Sequence, residues 1–319
     1  MPSRSVTAPT TADQERAWEH VSAVLPPTPL LPTALAPGAF LKAETQQPTG
    51  SFKVRGALAA LAVLPGGEAA VTASAGNHGL AMAYAATLTG TPVTVVVSTK
   101  ASPAKVAKMA AYPITLVRHG DDFDAAEAHS LTLPGRYVSA YNDTHVIAGQ
   151  ATIGRELDVQ APGPLTVVAP VGGGGLVAGL ALWAEGRGDV SVVGVESAVS
   201  RAVSAAVTSG RIEPQVIGDT IADGIAGNIE EGCLTPDLIR GRAELTAVTD
   251  AEIHTAMRWL FTEHGLVVEG AGACGIAAVL AGKVAVNGRL IVILSGRNIT
   301  IPAAINILAE NYPSHHDPR

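Results

Sequence analysis

The sequence predicts an α/β protein with parallel sheets flanked by helices. Two observations carry that prediction. Short apolar runs rich in β-branched residues alternate with alanine-rich helical stretches through most of the chain, the rhythm of strands joined by helical crossovers. The composition is 47% hydrophobic but only 4% aromatic, with 34 glycines among 319 residues. Small side chains of this kind let helices pack closely against a buried sheet.

Taken in order, "AVTA" (70–73), "PVTVVVS" (92–98), "PITLVR" (113–118), "LTVVAP" (165–170), "VSVVGVE" (190–196) and "RLIVILS" (289–295) read as short buried strands. Helices are expected over 79–88, 102–111, 122–131, 146–159, 176–185 and 250–264, the last opened by Thr249 with Asp250 and Glu252 in its first turn. The uncharged run 165–184 has the length of a membrane span. Pro170 and four consecutive glycines interrupt it, so it reads as strand, loop and helix. No fixed-period repeat or low-complexity tract is present, and only the ends, up to about Thr10 and after Asn311, read as loose.

The length suits about two domains. A formal net charge of −7 and a pI near 5.7, without a basic cluster, argue against a nucleic-acid surface. Cys233 and Cys274 lie far apart and outside any zinc pattern, and the N-terminus lacks the apolar core of a targeting peptide, so a cytoplasmic protein is expected.

Four motifs carry chemistry. In "TGSFKVRGALAAL" (49–61), Gly50 makes a turn and Ser51 is placed to cap a helix whose first turn holds Lys53. The positive end of a helix opposes protonation of that amine, and a neutral amine is what imine chemistry needs; a lysine snorkelling past Phe52 is the plain alternative. In "TASAGNHGLAMA" (72–83), a strand turns through Ser74, Ala75 and Gly76 into a helix. Its backbone N–H groups, with Ser74 and Asn77, suit a carboxylate, or form an ordinary strand-to-helix loop. In "VAPVGGGGLVAG" (168–179), Gly172, Gly173, Gly174 and Gly175 let the backbone approach a phosphate at a helix N-terminus. Gly173, Gly175, Ala178 and the later Glu196 equally satisfy a dinucleotide fingerprint, and this loop alone does not separate the two. In "ILSGRNIT" (293–300), Ser295 ends a strand where ligands of parallel sheets bind, or makes a simple turn.

Together, in this order, "ETQQPTGSFKVRGA", "SAGNHG", "GGGGL" and Ser295 closely resemble the pyridoxal-phosphate enzymes of fold type II, within them the threonine/serine dehydratase and serine racemase family. The likeness runs from "PPTPLLPT" (26–33) through "DTIADGIA" (219–226) and "VEGAGACGIAA" (268–278), and it favours a single phosphate ester over a dinucleotide. It implies a two-domain fold like that of the tryptophan synthase β chain: a large domain from 1–66 and 147–319, a smaller α/β domain inserted at 67–146, and the cofactor in the cleft between them. By the same resemblance Lys53 carries pyridoxal 5'-phosphate as an imine and acts as base at Cα. Phe52 packs on the ring, Asn77 bonds its 3-hydroxyl, Gly172 to Gly175 hold the phosphate, and Ser295 faces the pyridine nitrogen. Ser74, Gly76, Asn77 and His78 bind the substrate carboxylate. The implied reaction is α,β-elimination from a 3-hydroxy amino acid by a homodimeric lyase.

Three departures refine this. Racemases of the family have a second serine where this chain has Ala75, so a dehydratase is favoured over a racemase. The family's divalent-cation site pairs a glutamate, matched by Glu196, with an aspartate six residues on, matched by Ala202, which argues against Mg2+ or Ca2+ binding. The usual Ser-Gly-Gly-Asn is Ser295-Gly296-Arg297-Asn298, and Arg297 is placed to meet a second substrate carboxylate or to face solvent. The chain's end soon after Asn311 leads one to expect no regulatory domain. A racemase, a β-replacement synthase, a catalytically silent amino-acid or cofactor sensor, and a nicotinamide-dependent oxidoreductase stand as alternatives.

Overall fold

The computed structural model describes residues 6–309. Its strands are β1 (Leu30–Thr33), β2 (Ala39–Lys42), β3 (Ala70–Ala73), β4 (Val93–Val97), β5 (Thr115–Arg118), β6 (Arg136–Tyr137), β7 (Leu165–Pro170), β8 (Val190–Ser197), β9 (Glu244–Val248) and β10 (Arg289–Ile293). The helices of the first half are α1 (Thr11–Ser22), α2 (Lys53–Ala62), α3 (Asn77–Thr89), α4 (Pro103–Ala110), α5 (Phe123–Ser130) and α6 (Thr144–Gln160). Those of the second half are α7 (Gly175–Glu185), α8 (Ala202–Ser209), α9 (Thr235–Ile239), α10 (Asp250–His264), α11 (Gly270–Leu280) and α12 (Ile301–Ala309).

Two sheets result. The first runs β1-β2-β10-β7-β8-β9, parallel throughout except for the antiparallel pair β1 and β2. The second, β5-β4-β3-β6, is wholly parallel. The first sheet therefore takes strands from both ends of the chain, and the second takes only the stretch between residues 70 and 137.

Alternation along the central strands shows why these segments pair. Leu165, Val167 and Ala169 of β7 pack with Ile291 and Ile293 of β10 into one apolar layer. Val168, Val193, Leu290 and Val292 point into another. Because successive side chains leave a strand on opposite faces, a strand covered by helices on both sides is apolar at nearly every position; in β7 the buried Thr166 is the exception, its hydroxyl bonded to Asn287 O. All six residues of β7 are buried, and the run 165–184 becomes β7, a glycine turn and α7. No helix among the described residues is long and apolar enough to cross a membrane.

Some elements differ from the sequence reading. Thr10, read as loose, caps α1 through a capping box with Asp13. Residues 1–5 and the segment after Asn311 lie outside the described residues. Ser51 does not cap α2: the N-cap is Phe52, and Ser51 is drawn into an antiparallel bridge with Gly296. The tertiary pairing outcompetes the local cap.

Helix α2 is fixed by a buried cluster of charges. Arg55 donates from Nε and Nη2 to the two oxygens of Glu44, at 2.8 Å each, and from Nη1 to Glu156 at 2.6 Å. Lys42 bonds the other Glu156 oxygen, the Thr28 carbonyl and Gln160. Lys42, Glu44 and Arg55 are all 0% exposed. Burial pushes the Glu44 carboxyl up, but the charge and hydrogen bonds of Arg55, with Lys42 and Thr28, hold it below its ordinary value. Next to the cluster α2 meets α6 backbone to backbone: a Cβ on Gly149 would stand 2.6 Å from the Gly56 Cα. Removing one partner of such a cluster leaves uncompensated buried charge. Arg55→Ala is accordingly expected to destabilise the protein by about 3–5 kcal/mol, read as a shift of the urea or guanidinium midpoint; a loss under about 1 kcal/mol would refute this account of the cluster.

Candidate active site

Lys53 is the first residue of α2, as the sequence predicts. Its position comes from a short ladder in which Phe52 N donates to Ser295 O at 3.0 Å and Arg297 N to Gly50 O at 2.9 Å. This ladder runs the C-terminal extension of β10 alongside the turn that precedes α2. Gly50, at φ +74°, supplies a turn conformation that other residues rarely adopt. The Lys53 Nζ lies 5.0 Å from the Phe52 ring centroid and donates to Ala140 O at 2.7 Å. The residue is partly exposed, while its amine sits deep in the protein. That burial drives its pKa down to about 8 against the upward pull of Glu269.

Ser74, Gly76 and Asn77 lie at the turn from β3 into α3, where Ser74 Oγ accepts from Gly76 N at 3.2 Å. No side chain caps α3, so its first-turn N–H groups stay available to an anion. The Asn77 amide reaches across: Nδ2 donates to Glu269 Oε1 at 2.7 Å, and Oδ1 accepts from Asn298 Nδ2 at 2.7 Å. His78 is buried, with Nε2 3.2 Å from the Val138 carbonyl. A carbonyl only accepts, so Nε2 carries the hydrogen. Burial, then the Lys53 charge, push its pKa to about 3, which leaves the ring neutral and its backbone N–H as the group able to meet a carboxylate.

Gly172 to Gly175 turn from β7 into α7, with Gly174 at φ +84° and no side chain capping the helix. Tyr141 wedges against this turn: a Cβ on Gly173 would fall 2.2 Å from its Cγ. The Tyr141 hydroxyl accepts from Glu230 N, and Thr235 Oγ1 donates to Gly173 O at 2.7 Å. Tyr141 follows Ala140, whose carbonyl holds Lys53, so the glycine turn and the lysine share one wall. Ser295 is 3% exposed, and among the described residues its hydroxyl has no hydrogen-bond partner. Arg297 is exposed.

The donor set fits pyridoxal 5'-phosphate. A deep amine of low pKa can form an imine, an uncapped helix start behind bare glycines can take a phosphate, and a buried hydroxyl without a partner can meet a ring nitrogen. The carboxylate pair of a divalent-cation site is not assembled: Glu196 Oε1 accepts from Val203 N and Ser204 N, capping α8, and the buried Ala202 offers no side-chain oxygen. Among the described residues no cluster of three or more metal-ligating side chains occurs.

The sequence reading gave no role to Glu269, Tyr141 or Asn298, although Glu269 and Asn298 stand inside segments it quoted. The signal for Glu269 was present, as the one carboxylate ahead of the uncharged α11. For Tyr141 there was none, because its partners arrive from distant loops.

Comparison with known proteins places the chain in a family. Residues 21–296 match the family described as pyridoxal-phosphate dependent enzyme. The L-threonine ammonia-lyase of Thermotoga maritima is 38% identical over 272 residues, covering 82% of this chain and 67% of that protein. A crystal structure of the threonine deaminase of T.th. superposes with a TM-score of 0.84 at 33% identity, covering 92% of this chain and 99% of that one. Maize serine racemase gives 0.87 at 26% identity, covering 95% and 98%. The chain belongs to the pyridoxal-phosphate-dependent enzymes, with the fold of their threonine deaminase and serine racemase branch.

In cofactor-free protein, the pH profile of Lys53 acylation, followed by peptide mass spectrometry, should have its midpoint near 8; a midpoint near 10 would remove the case for a perturbed amine. Gly173→Ala should drive a methyl into Tyr141 and weaken cofactor binding by roughly tenfold or more with the far-ultraviolet circular dichroism unchanged. Unaltered affinity would show that the turn can yield.

Proposed function

We propose that the chain is a dehydratase, or ammonia-lyase, that converts a 3-hydroxy amino acid of the threonine, serine or 3-hydroxyaspartate type into a 2-oxo acid and ammonia by α,β-elimination. The observation that carries this reading is the Lys53 amine, held deep in the cleft with its pKa lowered to about 8. The likeness to L-threonine ammonia-lyase and threonine deaminase supports the reaction class.

Bound to Lys53, pyridoxal phosphate supplies an electron sink for the pair left at Cα. Lys53 would be the group that takes the Cα proton, and its lowered pKa leaves much of the amine unprotonated near pH 8. Ser74, with the backbone N–H groups of Gly76, Asn77 and His78, holds the substrate carboxylate against the open end of α3. Phe52 would pack on the ring, the Asn77 amide would meet the 3-hydroxyl, and Gly172, Gly173, Gly174 and Gly175 would take the phosphate. Ser295 would face the ring nitrogen, and a neutral hydroxyl there would not hold a proton on it, which would favour elimination over transamination.

Ala75 supports elimination over racemisation. Its methyl packs against the core beneath the second sheet and has no proton to return to Cα. The same reading divides the chain into a large domain, 1–66 with 147–319, and an inserted domain, 67–146, supported by the confinement of the second sheet to residues 70–137. It takes the protein as a cytoplasmic homodimer, the compartment supported by two buried thiols, Cys233 and Cys274. A dicarboxylic substrate is favoured by Arg297, which is exposed beside the Lys53 turn and, among the described residues, forms no ion pair.

The test is a spectrum of the holo-protein with L-threonine, L-serine and threo-3-hydroxyaspartate in turn, with 2-oxo acid and ammonia assayed in the same sample. Product should form with at least one of them, and Lys53→Ala should lower kcat roughly 10²–10⁴-fold. A spectral shift with no product would turn the assignment to racemisation or sensing. Arg297→Gly should lower kcat/KM for 3-hydroxyaspartate at least about tenfold while sparing threonine; equal losses would remove Arg297 from substrate recognition.

A further inference from the structure

Glu269 is the N-cap of α11 and only 7% exposed, yet it carries a carboxyl group to the start of α3. Oε1 accepts from Asn77 Nδ2 at 2.7 Å and Oε2 from Asn298 N at 3.1 Å. Asn298 Nδ2 in turn donates to Asn77 Oδ1 at 2.7 Å and to Thr49 O at 2.8 Å. The Asn77 amide is thus pinned at both ends. Its oxygen faces an N–H donor and its nitrogen faces a carboxyl, which fixes which end is which. An amide nitrogen has two hydrogens, and among the described residues the second has no acceptor. Gly296 makes room for this arrangement, since a Cβ there would stand 2.3 Å from Glu269 Oε1 and 3.3 Å from Asn77 Nδ2.

We propose that Glu269 is a positioning residue: as a carboxylate it holds the Asn77 amide with its remaining N–H turned toward the cofactor. The inference rests on the reading of Lys53 and Asn77 given above. A neutral carboxyl accepts both hydrogen bonds more weakly and presents an O–H among N–H donors, so protonation loosens the amide. Burial first, then Asp223, push the Glu269 pKa up to about 7 against the hydrogen bonds of Asn77 and Asn298 and the charge of Lys105. The charged and titratable groups facing it are Lys53 from α2, Lys105 from α4, Asp223 from the 223–225 turn, and Cys274 on its own helix. Lys105 and Asp223 are themselves paired at 2.9 Å across the rim.

The test is titration of the cofactor-free protein with pyridoxal phosphate at pH values from about 5.5 to 9, followed by the visible absorbance band and by equilibrium dialysis. In the unaltered protein, affinity should rise roughly tenfold through a step near pH 7 as Glu269 ionises. Glu269→Gln should abolish that step and leave the later one belonging to Lys53, moved to lower pH because the negative charge that raises it is gone. Asp223→Asn, at an exposed position, should keep the step and move it to lower pH. A step near 7 that survives Glu269→Gln would overturn the proposal, as would a uniform loss of affinity with the step unmoved, the mark of a purely structural role. Absence of the visible band in the unaltered protein would instead overturn the reading of Lys53.

Discussion

The bond on which the site depends is the bidentate pair between Arg55 and Glu44, completed by Glu156 and Lys42. Arg55 stands two residues after Lys53 on α2, Glu44 lies on the short helical turn that follows β2, and Glu156 belongs to α6. One guanidinium therefore joins the turn after β2 of the first sheet to α6, the helix that leads back from the second. Apolar side chains of the same volume would hold such a site as firmly, so the consequence of burying these charges is positional. Fork-to-fork geometry permits one arrangement of α2, where apolar packing permits a slide along the helix. Its first turn carries the lysine.

The second constraint is electrostatic. Burial moves Lys53 and Glu269 in opposite directions, to about 8 and about 7, so that each is driven toward its neutral form within one small volume. Both shifts oppose stability. For Glu269 the folded state binds its proton more tightly than the unfolded chain, so its contribution falls as pH rises from about 4.5 through 7. For Lys53 the folded state binds its proton less tightly, so the penalty is full below about 8 and is relieved as pH climbs toward 10.5. A fold selected for stability alone would place neither group here, which is the expected mark of a chemical site.

Much of this was legible in the sequence, and what was not had a physical reason. The six strands read from apolar runs correspond to β3, β4, β5, β7, β8 and β10; β3, β7 and β10 are buried at nearly every position, as a sheet covered on both faces demands, whereas β5, at an edge and exposed at Thr115 and Arg118, is apolar only at its centre. Strands β1 and β9 lie at sheet edges, one interrupted by Pro32 and the other half-exposed, so their patterns are mixed. The glycine turn and the lysine announce themselves because each is locally improbable. Glu269 acquires its role only through Asn77, 192 residues away, and no local pattern encodes a pairing at that range. Ser51 shows the converse, a sound local cap overridden by the ladder to Gly296.

That ladder also explains which position of the Ser295-Gly296-Arg297-Asn298 segment is free to change. Gly296 is hemmed in, because any side chain would displace the Glu269 carboxyl and with it Asn77. At 297 only the backbone is engaged, through its N–H to Gly50, and the side chain emerges exposed. Asn298 is held through its backbone N–H by Glu269 and through its amide by Asn77 and Thr49. A substitution at 297 therefore leaves the polar network around Asn77 intact while changing the charge presented at the surface beside the Lys53 turn. Within this segment the buried network and the exposed charge can vary independently, and arginine stands at a position where that independence is available.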